Sequence, residues 1–183
     1  MRTRRWAMFR LAAVRFTWAM SPSPAVLLAT VAALSAAVVG GVFYAFSTFV
    51  MRGLSRGGAA AAVTAMRGIN AEAQSNGAFL TVFLGSAAVA ATVGVMAVVH
   101  LRQPGSGWIL AGAVLATVPL VVTVAVNVPL NDHLAALDVT TLPVDDFSRV
   151  WMDYLRTWTL WNHVRSVAPL LGSMLMVVGL RLR

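Results

Sequence analysis

The stretch AVLLATVAALSAAVVGGVFYAFSTFV, residues 25 to 50, is uncharged and mostly apolar over its whole length. A helix of about 20 apolar residues crosses the hydrocarbon core of a bilayer, so this stretch predicts a membrane-spanning helix. The sequence SPSP precedes it at residues 21 to 24. We expect Ser23 to cap the helix and Pro24 to occupy its first turn, where a missing backbone N–H costs nothing.

Three further apolar runs are long enough to span a membrane, at residues 77 to 99, 108 to 128 and 158 to 180. Pro119 lies inside the third run and predicts a kink there. Short connections favour antiparallel neighbours, so the predicted fold class is all-α: an integral membrane four-helix bundle with up-down-up-down topology. Residues 25 to 183 form one transmembrane domain, and residues 1 to 24 form a basic N-terminal arm.

The composition is typical of a membrane protein, because 59% of the 183 residues are hydrophobic and only 11% are charged, against roughly 25% charged in soluble domains. The absence of cysteine excludes disulfides, thiolate catalysis and cysteine-ligated metals. The net charge of +8 comes from 14 basic residues, all of them arginine. These arginines flank the apolar runs and form no continuous basic face, which argues against nucleic acid and favours anionic membrane lipid as the partner.

The arginines also predict the orientation of the chain. Eight lie at the ends of the runs on the N-terminal side of the membrane and six on the opposite side. The positive-inside rule therefore predicts that both termini lie in the cytoplasm. The expected location, a bacterial plasma membrane, does not follow from this count. We expect the basic arm to stay uncleaved at the membrane interface, because the apolar run after it exceeds the about 7 to 15 residues of a signal-peptide core.

Polar residues interrupt the last apolar run at LWNHVRS, residues 160 to 166. Burying such groups costs several kcal/mol each unless partners await them. Helical spacing puts Trp158, Asn162 and Arg165 on one stripe, with His163 about 100° away from Asn162. We therefore predict that Trp158, Asn162 and Arg165 act as a unit. A permanently charged guanidinium near an apolar span either snorkels outward to the membrane surface or pairs with another group. The candidates for such a group are Asp132, Asp153 or an anionic oxygen of a substrate.

Other polar and aromatic residues fall at the same end of the predicted bundle, and each has two interpretations. Asn127 and Asn131 either cross-link helices or bind a ligand. Glu72 is an acid or base if it faces the same pocket, and otherwise a solvated charge near Arg67. Two tryptophans, Trp151 and Trp161, are interpreted as part of an aromatic belt at the headgroup level.

Four motifs together resemble the anthrone oxygenase-like family of small four-helix membrane proteins, a domain of unknown function in bacteria. They are GVFYAFSTFVMRGL (41 to 54), AMRGIN (65 to 70), NVPLND (127 to 132) and WMDYLRTWTLWNHVR (151 to 165). The resemblance covers about residues 26 to 180 in the same order. It departs from the family pattern in the N-terminal arm and at Arg52, where a proline is usual.

The resemblance implies oxidation of an anthrone-like or other aromatic polyketide by dioxygen, with no metal or flavin and hence no cofactor. Such chemistry needs a base, donors for a developing oxyanion and a dry pocket. The residues expected to be catalytic are His163, Asn162, Arg165 and Glu72, with His163 or Glu72 as the base. The residues expected to bind the hydrophobic aromatic substrate are Asn70, Asn127, Asn131, Trp158, Phe46 and Tyr154.

Two other classes of function fit the same residues. One is a haem- or metal-binding membrane protein in which His163 is a ligand, with His133 or His100 as a second one. The other is a non-enzymatic membrane module that binds a lipid or quinone. The small-residue run AALSAAVVGG, residues 32 to 41, permits close helix contact either within the chain or in a homo-oligomer.

Overall fold

The structure, a computed structural model, describes residues 23–138 and 143–183, so the predicted N-terminal arm lies outside the described residues except for its last two. All regular structure in these two ranges is helical, which confirms the predicted all-α class. Two π-helical turns, Phe46–Val50 and Thr123–Asn127, follow α1 and α5. The helices are α1 (Pro24–Ala45), α2 (Met51–Ser55), α3 (Ala59–Ser75), α4 (Gly77–Val99), α5 (Ser106–Val122), α6 (Val128–Ala136) and α7 (Val144–Arg181).

Four helical segments are long and apolar enough to cross a membrane, as the sequence predicts. Ser23 caps the first of them, with its Oγ 3.3 Å from the backbone N of Val26. The helices extend beyond the predicted apolar runs, mainly at the end of the first run, the end of the third and the start of the fourth. The segments are Pro24–Ser55, Gly77–Val99, Ser106–Ala136 and Asp146–Arg181.

The four spans form a ring in which α1 and α5 each pack against both α4 and α7. The start of α1, the end of α4, the start of α5 and the end of α7 meet around one small cavity. We call this the tight end, and it is marked by Ala25, Ala97, Ile109 and Arg183. Successive spans therefore alternate in direction, as expected for an up-down-up-down bundle.

Small residues let the helices approach closely toward the tight end. An ideal Cβ on Gly112 would lie 2.5 Å from the carbonyl oxygen of Gly172, and one on Gly179 would lie 2.6 Å from that of Gly105. Such backbone approach is typical of membrane helix interfaces. From the small-residue run at 32 to 41, Ala32, Ala33 and Ala36 pack inside the chain's own core.

The opposite end, which we call the cap end, carries α2, α3 and α6. Arg67 of α3 donates through Nε and Nη2 to the carbonyl oxygen of Leu134, at 2.9 and 2.7 Å, and through Nη2 to that of Leu137. It thereby satisfies carbonyls at the end of α6. Trp151 is buried here and donates to the Ser55 hydroxyl at 3.2 Å. The interpretation of Trp151 as a belt residue is therefore wrong, whereas Trp161 is 37% exposed.

Candidate functional site

Asn162 is the centre of a buried hydrogen-bond network between α7 and the end of α1. Its Nδ2 donates to the carbonyl oxygen of Phe43 and to the Ser47 hydroxyl, both at 2.8 Å, and its Oδ1 accepts from Arg165 at 2.8 Å. The Ser166 hydroxyl donates to the Asn162 carbonyl at 2.9 Å, which leaves Ser47 to donate to Ser166 at 3.1 Å. All side-chain hydrogen-bonding groups of Asn162 are therefore used, and its orientation is fixed.

Ser47 reaches this network because it lies in the first π-helical turn of the chain. Turns of this kind interrupt α-helices and are frequent at functional sites. The second π-helical turn provides Thr123, whose hydroxyl accepts a hydrogen bond from Nη1 of Arg165 at 3.1 Å. Each of the two turns therefore presents a hydroxyl to α7.

Arg165 is a buried cation held by aromatic rings. Only 4% of the residue is exposed, and its Cζ lies 4.3 Å from the centroid of the Phe43 ring and 4.9 Å from that of Trp158. Desolvated contacts of this type stabilise a guanidinium by about 1 to 2 kcal/mol each. The predicted unit of Trp158, Asn162 and Arg165 therefore exists as a geometric arrangement.

The predicted acidic partners of Arg165 do not reach it. Asp132 and Asp153 are both exposed, and no carboxylate among the described residues forms an ion pair with Arg165. Its Nε is buried and has no hydrogen-bond partner in the same ranges. Of the partners that the sequence suggests, an anionic ligand oxygen is the one still compatible with the structure.

Arg165 lines a cavity of about 720 Å³ between α1, α3, α4, the second π-helical turn and α7. Protein sites for drug-sized ligands have volumes of about 300 to 1,000 Å³. The walls are mainly apolar and aromatic, and polar side chains of Glu72, Gln74 and Asn76 lie on the α3–α4 side. The aromatic lining residues are Phe43, Phe46, Phe79, Phe83 and Trp158.

A second polar cluster lies behind Trp158. The Oδ1 of Asn131 accepts hydrogen bonds from the Tyr154 hydroxyl at 2.8 Å and from Nε1 of Trp158 at 3.0 Å. Asn70 lies close to the same Tyr154 hydroxyl. These three residues do not line the 720 Å³ cavity. Instead, they fix the position of the Trp158 ring, which lines the cavity.

Asn127 is fully buried at the end of the second π-helical turn, and within the described ranges neither of its side-chain polar atoms has a hydrogen-bond partner. The Nδ2 of Asn70 is also buried and has no hydrogen bond of normal geometry in those ranges, but it has the Tyr154 hydroxyl close to it. Buried polar atoms are nearly always satisfied by protein, water or ligand. Asn127 therefore has unused capacity for such a partner.

The two residues predicted as alternative bases lie in different places. Glu72 lines the 720 Å³ cavity, is exposed at its edge, and accepts a hydrogen bond from Asn76 at 3.1 Å. His163 is exposed and lines a separate groove together with Arg52. The described residues contain no group of three or more histidine, aspartate or glutamate side chains with a metal-binding arrangement.

Sequence reasoning missed Phe43, Ser47, Thr123 and Ser166. Serine and threonine in apolar helices commonly bond to their own backbone, as Thr48 does with the Tyr44 carbonyl. The sequence therefore carried no signal that Ser47 and Thr123 would instead hold residues of another helix.

Comparison with known proteins supplies one match. A family model described as Anthrone oxygenase matches residues 76–175. The matched region contains Thr123, Asn127, Asn162 and Arg165, while Phe43 and Glu72 lie before it. No curated protein and no solved structure matches the chain.

Proposed function

Because the chain belongs to the anthrone oxygenase family, whose model matches more than half of its length, we propose that it is a membrane-embedded oxidoreductase. Its reaction is the oxidation of an anthrone-like aromatic substrate by dioxygen. One observation carries the proposal: Arg165, buried and without a carboxylate partner among the described residues, lies on the wall of an aromatic cavity of about 720 Å³.

The cavity supports recognition of a flat, fused-ring substrate. Phe46 and Trp158 lie with ring centroids 5.7 Å apart and a tilt of 52° between their planes, so the two rings form a corner against which an aromatic ligand can pack. A substrate oxygen directed at Arg165 meets a fixed cation in apolar surroundings. Such a preorganised donor stabilises charge that develops on the oxygen during reaction.

Glu72 is the proposed base, since it lines the cavity and His163 does not. Its carboxylate removes a proton from the benzylic CH₂ of the anthrone, and the electron pair moves to the carbonyl oxygen, which becomes a phenolate facing Arg165. The anion gives one electron to dioxygen, and the resulting radical and superoxide join in a C–O bond. Return of the proton and loss of one water convert the hydroperoxide into the quinone carbonyl, so one dioxygen is consumed per CH₂ oxidised.

Replacing Glu72 with glutamine is expected to slow this oxidation by about 10² to 10⁴-fold, because glutamine cannot accept the proton. Oxygen uptake and quinone absorbance with an anthrone substrate measure the effect. The Asp132→Asn protein is the matched control, since Asp132 is exposed at the cap end and does not line the cavity. Full activity of Glu72→Gln would refute the role of Glu72, whereas no oxygen uptake by the unaltered protein would refute the oxygenase proposal itself.

A binding module for a quinone or aromatic lipid is the second candidate. The exposed position of Glu72 favours it, because a base in contact with water is less suited to a reaction that needs a dry pocket. Oxygen consumption separates the two functions: either protein quenches tryptophan fluorescence on addition of an anthraquinone, but a binding module consumes no oxygen with the corresponding anthrone.

We also propose that both termini lie in the cytoplasm and the cap end faces the opposite side. Eight arginines accompany the tight end and the N-terminal arm, against six at the cap end, and the larger number is expected inside. The chain has no cysteine, so a thiol reagent labels a variant with one introduced cysteine at that position alone. In intact cells, a membrane-impermeant maleimide should label Asp132→Cys at once and Arg183→Cys only after permeabilisation; the reverse pattern would invert the orientation.

A further inference from the structure

A second groove, of about 500 Å³, lies at the cap end on the other side of the α1–α7 contact from the aromatic cavity. Its walls come from the first π-helical turn, from α2 and from α7. Met51, Leu155 and Leu160 form its apolar part. Leu160 is 62% exposed, so the groove is open to the surroundings of the bundle.

Three basic side chains line this groove, and no acidic one does. Arg52, Arg156 and His163 are all exposed. Neither arginine forms an ion pair with any side chain that the structure describes. The groove therefore combines an apolar wall with positive charge that the described part of the protein leaves without a counter-charge.

The basic side chains and the apolar wall lie at different levels along the helices. Arg52 comes two residues after the first apolar run, and Arg156 comes two residues before the last one, so both are expected near the lipid headgroups. His163 lies seven residues after Arg156 on α7, which is about 10 Å further along the helix axis. Leu160 lies between Arg156 and His163 in the sequence and is 62% exposed.

We propose that this groove binds one anionic phospholipid, with the phosphate between Arg52 and Arg156 and an acyl chain along Leu160. His163 meets the glycerol and ester region of the same lipid. Basic pockets between membrane helices bind acidic headgroups through the same combination of charge and apolar contact. This site gives His163 a role outside the aromatic cavity, and it does not depend on the proposed oxidation.

Native mass spectrometry of the full-length protein, mixed with equal amounts of phosphatidylglycerol and phosphatidylcholine, tests the proposal. We expect about tenfold preferential retention of phosphatidylglycerol and loss of this preference in the Arg52→Gln/Arg156→Gln protein, because two headgroup cations are removed. Arg56→Gln/Arg149→Gln is the matched control, as these exposed arginines of the cap end do not line the groove. Helical circular dichroism confirms that each variant is folded.

Three outcomes would overturn the proposal. Equal retention of both lipids by the unaltered protein removes the headgroup preference. Equal losses of the lipid preference in the two double variants show that the preference follows the net charge of the protein and not this groove. Displacement of the bound lipid by soluble glycerol phosphate at the lipid's own concentration shows a phosphate site to which the apolar wall contributes nothing. If the double variant unfolds, the single variants Arg52→Gln and Arg156→Gln decide: each is expected to lower the preference for phosphatidylglycerol about twofold, and an unchanged preference in both counts against the site.

Discussion

Replacement of Arg165 by methionine is expected to reduce anthrone oxidation by about a hundredfold or more without lowering the melting temperature. The guanidinium is buried, has no carboxylate partner among the described residues, and has an Nε that donates to nothing in those ranges. A cation in that position costs free energy that its contacts with Asn162 and Thr123 only partly offset. Methionine fills a similar volume without this cost.

Oxygen uptake measures the expected loss of activity, and thermal unfolding in detergent measures the expected melting temperature. Both are measured on the same preparation. Arg149→Met is the control, because its side chain is 74% exposed on the same helix and the same charge is lost. A fall of melting temperature by about 10 °C in Arg165→Met would identify Arg165 as a structural clamp instead. Retained activity would exclude it from substrate binding.

Asn162→Asp tests the same cation from the other side. The Oδ1 of Asn162 lies 2.8 Å from Nη2 of Arg165, so a carboxylate there neutralises the guanidinium in place. We expect kcat/KM for the anthrone to fall about tenfold, because an opposite charge at this distance weakens the stabilisation of the phenolate that develops during proton removal. If Asn162 merely joined α7 to α1, Asn162→Asp and Asn162→Leu would lower kcat/KM equally.

Hydropathy and helical period were sufficient for part of this site. The apolar runs predicted the four spans, and the spacing of Trp158, Asn162 and Arg165 predicted that they share a face, because both signals are local to one helix. The same spacing placed His163 away from that face, and the structure puts it in the other groove.

The other features of the site depend on how separate helices pack together. The sequence of a single helix does not determine this packing. The π-helical turn that brings Ser47 to Asn162 has no distinct residue pattern. Asn70 and Gln74 are four residues apart on α3 with Glu72 between them, so helical spacing does not put Glu72 on the face that they share. In the structure, however, Glu72 and Gln74 line the cavity and Asn70 does not.

One readable signal concerned the helix packing itself. Gly105 and Gly112 are seven residues apart, as are Gly172 and Gly179. Seven residues are close to two helical turns, so Gly172 and Gly179 mark a small-residue face on α7. Gly112 lies on α5, and Gly105 lies directly before that helix. The structure brings the two pairs together, with ideal Cβ positions within 2.6 Å of the opposing carbonyl oxygens at Gly112, Gly172 and Gly179.

Gly172→Leu is therefore expected to lower the melting temperature by roughly 10 °C, which corresponds to about 3 kcal/mol for a protein of this size. A Cβ on Gly172 lies 2.6 Å from the Gly112 carbonyl oxygen and 3.1 Å from the Ala116 backbone N, and neither backbone atom can move without separating α5 from α7. Gly85→Leu is the control, since no atom lies within 4 Å of its Cβ position. Thermal unfolding of both variants measures the difference.

The milder Gly172→Ala separates packing from intrinsic helix preference. Alanine favours a helix over glycine by about 1 kcal/mol, so a lower melting temperature in this variant can only come from the α5–α7 contact. If α5 and α7 move apart, the Thr123 hydroxyl also moves away from Nη1 of Arg165. The two atoms are 3.1 Å apart in the unaltered protein. We expect oxidation to fall together with stability, and a destabilised Gly172→Ala protein with unchanged kcat/KM would mean that Arg165 keeps its position without Thr123.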